Sequence, residues 1–289
     1  MDAAIRLPAR ALKWIRDHSD GTVVEVEPKN AATVVLLRAG ASAAAGQLQV
    51  HLMRRQTTMA FASGMAVFPG GGVDSGDFDA SISLAGPSVG EWALLLGVAE
   101  QQALALVCAA ARETFEECGV LLAGTAEGGI LTDTSGPDWE EDRRRVTAHE
   151  MTLADLLRQR NLTLRTDLLR PWSQWTTPSF EPRRYRTWFF AAQLPEGQHT
   201  RDVSTEAASV EWMSLRDALA RTDSGDLLML APQYSTCLEM FDYVSTNDLF
   251  GDEHEIYSIQ PSVESDEDGA YLVLPDRLVE LARIVRSRL

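Results

Sequence analysis

Cysteine is scarce in this 289-residue chain. Its three thiols, Cys108, Cys118 and Cys237, are odd in number and show no Cys-x-x-Cys spacing, so neither a disulfide framework nor a zinc site is indicated. They read as buried structural thiols in a reducing compartment. Lysine is almost absent, 2 of 26 basic residues, and positive charge is outweighed throughout, with a net charge of −16 and a pI near 4.7. That balance argues against a basic nucleic-acid surface, because phosphate contacts need clusters of Lys and Arg. No apolar run approaches the roughly 18 residues of a membrane-spanning helix, and charges at Asp2, Arg6, Arg10, Lys13 and Arg16 make a signal peptide unexpected at the start. There is no internal repeat and no Pro-rich linker, and 45% hydrophobic content supports a sizeable core.

What is present centres on Phe68 to Val120. This stretch begins Phe68-Pro69-Gly70-Gly71-Gly72-Val73-Asp74 and closes Arg112-Glu113-Thr114-Phe115-Glu116-Glu117-Cys118-Gly119-Val120. Gln101 to Cys118 is rich in Ala, Leu, Gln and Glu, which predicts a helix, and Gly119 supplies its stop. At about 100° per residue, Glu113, Glu116 and Glu117 fall within an arc of about 100°, while Leu104, Val107, Cys108, Ala111 and Phe115 gather opposite. Three like charges on one face cost a few tenths of a kcal/mol per pair unless a cation sits among them. A hard divalent ion suits such a face, since Mg²⁺ takes oxygen ligands and commonly bridges carboxylates to substrate phosphates. Gly70 to Gly72 let the chain turn tightly and bring a backbone carbonyl, that of Gly70, towards the same ion. The plain alternative is a solvated helix face, but Arg112, Glu113, Glu116, Glu117 and Gly119 together favour chemistry.

These residues resemble the box of the Nudix hydrolases, G-x5-E-x7-R-E-U-x-E-E-x-G-U, with U a bulky apolar residue. Two departures are plain. Asp77 stands where the box has Glu, with Gly71 as its first glycine, and Thr114 replaces the first U. Between Asp77 and Arg112 lie 34 residues where the box has 7. A split box of this kind resembles one branch, the acyl-coenzyme A diphosphatases of nucleoside diphosphate-linked moiety X motif 19 type. Further likeness comes from Trp175-Thr176-Thr177-Pro178, Arg183-Arg184-Tyr185, Phe189-Phe190, Glu211-Trp212 and Leu230-Ala231-Pro232-Gln233-Tyr234. The Arg-Ser…His-x-Gly-Glu pattern of the other coenzyme A-cleaving Nudix branch is absent.

The resemblance implies an α/β class fold, a Nudix α/β/α sandwich with a mixed sheet, an insertion inside the box at about 78–101 and a C-terminal helical extension. The expected division is an N-terminal segment 1–24, a Nudix domain 25–222 and an extension 223–289 packed on the same domain. Val and Leu runs predict strands at Ala32–Arg38 and Leu48–Arg55, with further strands at Met65–Phe68, Val120–Leu122, Leu169–Thr176, Arg184–Gln193 and Glu206 to Ser214. Helices are expected at Trp139–His149, Thr152–Arg160, from Ser214 to Arg221 and around Pro232–Val244. Arg143-Arg144-Arg145 reads as a solvated face, and the insertion, with Trp92 and Leu94 to Leu96, as a lid, an oligomer contact or plain packing.

For function, the resemblance implies a hydrolase that cleaves a diphosphate linkage with one to three Mg²⁺ or Mn²⁺ ions. The ions would be held by Glu113, Glu116, Glu117, the Gly70 carbonyl and Glu206, which lies five residues before Glu211-Trp212. Glu113 or Glu206 would act as general base, with Arg112 orienting the carboxylates. Arg54 and Arg55 are pocket candidates from their place before the Gly turn. Arg183, Arg184 and Tyr185 are substrate-binding candidates because the branch has basic and aromatic residues there, and Arg suits phosphate. The expected substrate is coenzyme A or an acyl-coenzyme A, giving adenosine 3′,5′-bisphosphate and 4′-phosphopantetheine or its acyl form. The alternatives are another nucleoside diphosphate derivative, such as ADP-ribose, NADH or a dinucleotide, or a binding module without turnover. Neither nucleic acid nor membrane is expected as a partner; a homo-oligomer stays open. Ser287-Arg288-Leu289 resembles a C-terminal peroxisomal address, but basic residues commonly end helices, and the scarcity of lysine points to GC-rich coding, so the expected location is cytoplasmic.

Overall fold

A computed structural model of the chain describes residues 4–7, 9–19, 21, 24–40, 48–56, 62–204, 207–266 and 269–289. In chain order, β1 (Ala4–Arg6) and α1 (Ala9–Ser19) precede the long strands β2 (Lys29–Ala39) and β3 (Leu48–Arg55). Two short strands, β4 (Ala66–Val67) and β5 (Gly70–Gly72), lead into a 3-10 turn at Ser75–Phe78. Next come β6 (Leu84–Ala85), α2 (Val89–Leu96), α3 (Glu100–Cys118), β7 (Ala123–Gly124), α4 (Pro137–Thr147) and α5 (Leu153–Gln159). After β8 (Thr163–Arg165) the strands β9 (Leu169–Thr176), β10 (Tyr185–Gln193) and β11 (Ala207–Ser214) follow, then α6 (Leu215–Asp223), α7 (Ala231–Glu239) and α8 (Thr246–Gly251). The chain closes with β12 (Tyr257–Ile259), β13 (Ser262–Asp266), β14 (Gly269–Val273) and α9 (Asp276–Arg286).

The main sheet runs β11-β3-β2-β10-β9-β12, with β4 added to β3 and β5 to β2. It is mixed, because β2 pairs β10 in parallel and β9 pairs β12 in parallel, while the other pairs are antiparallel. Side chains alternate across it as the two-residue strand period requires. Val34, Leu36, Trp188 and Phe190 face a core built on α3, and Val35, Leu37, Phe189 and Ala191 face a second core built on α6, α7 and α9. The result is the α/β/α layering that the resemblance implied. The segment after Asp223 covers the second face with Tyr234, Leu238, Leu278 and Val285, and it also adds β12 to the sheet edge.

α3 is buried almost all round. From Ala103 to Ala111 every residue is buried, so the Ala-rich run serves close approach to the sheet as well as helix propensity. Gly119, at φ 70°, caps the helix in the left-handed conformation that glycine adopts without penalty. The last carbonyls of α3 are taken up by Arg143, which donates to Glu116 O at 2.7 Å, by Arg201 N–H to Cys118 O at 2.9 Å and by Thr134 Oγ to Gly119 O at 2.7 Å. Arg143 is therefore buried, contrary to the expectation of a wholly solvated Arg143-Arg144-Arg145 face, whereas Arg144 lies in solvent with Glu141.

Val120–Leu122, expected as a strand, is irregular and joins no sheet ladder among the described residues. The segment is fully buried, and a side chain takes up Leu121, whose N–H donates to Gln198 Oε1 at 3.0 Å and whose O accepts Gln198 Nε2 at 2.9 Å, while Leu122 O accepts the Arg165 N–H of β8 at 2.9 Å. The apolar composition was read correctly and the donor was not visible, since it lies 77 residues away.

The inserted residues are stitched to the body. Leu84 pairs with Leu164, α2 is capped by Ser88 and Glu91 at one end and Gly97 at the other, and Trp92 is buried edge-on to Phe190 at 6.1 Å. Burying such a ring contributes about 2–3 kcal/mol. Leu94 and Leu95 stay exposed.

Candidate active site

Strand registers collect the candidate residues at one end of the main sheet. Gly70, Gly71 and Gly72 lie opposite Thr33, Ala32 and Ala31 near the start of β2, and β10 runs parallel to β2 with Tyr185 opposite Lys29. The far end of β3 arrives at the same edge, with Arg54 opposite Ala66 and Arg55 opposite Ala207. α3 crosses this end so that Glu113 stands directly over the glycines. A Cβ at Gly71 would lie 2.4 Å from Glu113 Oε1, so glycine is what lets the strand pass beneath the carboxylate.

Arg112 is the hub of the cluster. Its Nε donates to Asp77 Oδ1 at 2.9 Å and its Nη2 to Asp77 Oδ2 at 3.0 Å, a two-pronged bond between two buried groups. Nη2 also donates to Gly72 O at 2.8 Å, and Nη1 to Glu113 Oε1 at 2.9 Å and Glu116 Oε1 at 3.0 Å. Glu117 turns the other way and accepts the Gly70 N–H on Oε2 at 2.8 Å. Asp77 in turn accepts the Asp74 N–H at 2.8 Å, which closes the 3-10 turn from which the insertion departs. The insertion thus leaves after Asp77 and rejoins at α3, and the Asp77–Arg112 bond bridges the gap in three dimensions.

Three buried or nearly buried carboxylates, Asp77, Glu113 and Glu116, face one guanidinium, and a fourth, Glu117, stands beside them on the Gly70 N–H. Burial works against the charge on Arg112, but its bonds to Asp77 and then the nearby Glu113 and Glu116 outweigh it and raise its pKa. Burial pushes the Glu113 carboxyl up to about 7 against the pull of Arg112, and pushes those of Glu116 and Asp77 upward as well. Carboxylates held this way resist ionisation for want of positive charge. Among the described residues no three acidic, His or Cys side chains close around a single point. The donor set nonetheless suits a hard divalent cation: it is all oxygen, its negative charge exceeds its positive charge, and its elevated pKa values signal an unmet demand for a cation.

The remaining candidates divide. Glu206 lies outside the described residues; its neighbour Ala207 opens β11 at the same sheet end. Arg54 is exposed and donates to Gly64 O at 3.3 Å, and Arg55 is half-buried beside it. Arg183 is exposed, and Tyr185 is half-buried at the start of β10. Arg184 differs from the expectation of a substrate contact: it is buried, donates to Thr177 O at 3.0 Å and Val26 O at 2.8 Å, and pairs with Glu25. Its guanidinium is occupied in tying the β9–β10 loop to the irregular segment 24–28 that leads into β2. Two groups at the rim were not singled out from sequence, Asp74, at 3.9 Å from Arg112, and His149, whose Nδ1 is 3.2 Å from Asp74. His149 arrives from the turn between α4 and α5, and nothing in its local sequence marks it.

A family model described as the NUDT19 Nudix domain matches residues 95–240, just over half of the chain. This chain belongs to that family. Its match starts inside the insertion, so the glycine turn and Asp77 lie upstream and are joined to the matched part through Arg112. Two curated relatives carry the name acyl-coenzyme A diphosphatase NUDT19. The Gallus gallus protein is 28% identical over 240 residues, spanning 70% of this chain and 63% of its own length. The Xenopus laevis protein is 24% identical over 240 residues, spanning 70% of this chain and 62% of its own. This NUDT19-type chain therefore matches a little under two thirds of the length of those relatives. Among solved structures, a NUDIX hydrolase from Alicyclobacillus acidocaldarius superposes with a TM-score of 0.66 at 25% identity, covering 79% of this chain and 98% of that one.

Proposed function

We propose that this chain is a divalent-cation-dependent diphosphatase acting on coenzyme A or an acyl-coenzyme A. The observation that carries the reading is the gathering of Glu113, Glu116 and Glu117 around Arg112 and Gly70–Gly72, in a chain whose relatives are named for that activity. Glu113, Glu116 and Glu117, with Glu206 and the Gly70 carbonyl, would hold Mg²⁺ or Mn²⁺. When bound, such an ion withdraws charge from diphosphate oxygens and makes a bound water more acidic. The chain's own residues do the rest. Arg112, anchored on Asp77, keeps the Glu113 and Glu116 carboxylates in register, and Gly71 leaves Glu113 room beside the reacting phosphorus. Glu113 or Glu206 takes the proton of the attacking water as its oxygen bonds to phosphorus. The bond to the leaving phosphate breaks, releasing adenosine 3′,5′-bisphosphate and 4′-phosphopantetheine or its acyl form.

The test is chromatography of products from coenzyme A, acetyl- and longer acyl-coenzyme A, ADP-ribose, NADH and a diadenosine polyphosphate, with Mg²⁺, Mn²⁺ or chelator. Cation-dependent release of adenosine 3′,5′-bisphosphate, lost by about 100-fold or more in Glu117→Gln, is the expected result. Turnover only of another compound would reject the coenzyme A assignment; no turnover by folded, cation-bound protein would reject the catalytic one.

A further inference from the structure

A cavity of about 270 Å³ opens between α1 and the β9–β10 loop, lined by Lys13, Trp14, Asp17, Val26, Phe180 and Pro182 among others. Phe180 is buried and Trp14 half-buried, while Val24 and Val26 leave an exposed apolar rim. The volume falls just below the roughly 300–1,000 Å³ of drug-sized ligand pockets. It suits one ring system and not a whole dinucleotide-sized molecule.

Its position relates it to the carboxylate cluster. Gly72, whose carbonyl holds Arg112, lies opposite Ala31, and Val73 N–H donates to Asn30 O. Val26 is four residues before Asn30, at most about 14 Å along an extended chain. Both features lie at the same end of the sheet, since Lys29 N–H donates to Arg184 O and Arg184 holds Val26 O.

The lining holds one cation, Lys13, beside the carboxylates of Asp17 and Glu181. In a chain of net charge −16 the only two lysines, Lys13 and Lys29, are both at this end, with exposed Arg183 beside Pro182. Glu25 and Glu27 are engaged by Arg184 and Arg186. Lys13, Lys29 and Arg183 have no ion-pair partner among the described residues. An aromatic-lined slot with Lys13 in its wall suits a base flanked by a phosphate, because rings stack on base faces and Lys offers a point charge to phosphate.

We propose that this cavity is the nucleotide subsite: an adenine-type base stacks on Trp14 against Phe180, and Lys13 meets a phosphate on the ribose. The proposal rests on the diphosphatase reading for its choice of nucleotide, but binding tests it without turnover. By calorimetry, wild-type protein is titrated with adenosine 3′,5′-bisphosphate, 5′-AMP and 4′-phosphopantetheine, alongside Lys13→Ala and Trp14→Ala. Trp14→Ala should weaken both nucleotides about fivefold or more. Lys13→Ala, an exposed site with little bearing on folding, should weaken the bisphosphate to near the 5′-AMP affinity and leave 4′-phosphopantetheine unchanged. With coenzyme A as substrate, both variants should raise KM and leave kcat within about twofold. Bisphosphate binding unaltered in both variants would overturn the subsite even if coenzyme A is cleaved. Lys13-dependent bisphosphate binding by a protein that does not cleave coenzyme A would uphold the subsite and reject the reaction.

Discussion

Asp77→Asn is the sharpest probe of how the split box is held together. The substitution keeps the shape of the side chain and removes its charge. In the structure both Asp77 oxygens are committed, Oδ1 to Arg112 Nε, and Oδ2 to Arg112 Nη2 and the Asp74 N–H. An amide in that place must turn an NH₂ group towards a donor whichever way it is oriented. Breaking a buried charge pair from one side costs about 3–5 kcal/mol. Arg112 keeps Gly72 O, Glu113 and Glu116 as acceptors, which brings the expected loss below that range, to about 2–3 kcal/mol. For a chain of this size that corresponds to a fall in Tm of roughly 5–10 °C. Urea denaturation of wild type, Asp77→Asn, Arg112→Met and the double variant measures it, with an expected coupling between the two sites of at least about 1 kcal/mol. A loss under about 0.5 kcal/mol in Asp77→Asn, or additive losses in the double variant, would refute the bridging role.

Other expectations follow from the same geometry. Glu113 takes up its proton near pH 7 in the folded protein, above its unfolded value, so the folded state binds more protons between about pH 4.5 and 7 and cation-free stability falls as pH rises through that window, by at most about 3 kcal/mol. Denaturation at pH 5 and pH 8 should show the decline, and Mg²⁺ should reverse more of it at pH 8; a cation-free protein more stable at pH 8 would contradict the burial argument. Gly71→Ala places a methyl where Glu113 Oε1 now lies, so the carboxylate must swing away. Steady-state kinetics should show at least about a tenfold loss of kcat, and unchanged turnover would show that the position of Glu113 is not critical. Gln198→Ala deletes four hydrogen bonds, with Leu121 N, Leu121 O, Leu131 O and the Thr134 hydroxyl, for a loss of about 2–4 kcal/mol; a Tm within 2 °C of wild type would mean that another group supports Leu121.

Much of the architecture was legible in the linear chain because its causes are local. The 3.6-residue spacing that separates Glu113, Glu116 and Glu117 from Leu104, Val107 and Phe115 specifies one helix with a charged side and an apolar side, and Gly119 ends it wherever it packs. The Val and Leu runs of β2 and β3 require strands, and the box residues mark the chemistry. Tertiary structure decided whatever depended on a partner distant in sequence. Asp77 was visible as a substitute for Glu, but its bond to Arg112 spans the insertion. Arg183 and Arg184 are adjacent and alike in sequence; one is exposed and the other is consumed by Thr177 O, Val26 O and Glu25, a difference set by how the β9–β10 loop folds onto the segment 24–28 that leads into β2. Val120–Leu122 has the composition of a strand, yet a glutamine from the loop after β10 takes up both backbone groups of Leu121. Composition and periodicity determine which face of each element seeks burial, because those forces act along a few turns of chain. Which polar group satisfies which, and so which charges remain for a substrate, is settled only when segments tens of residues apart meet and each buried donor must find an acceptor.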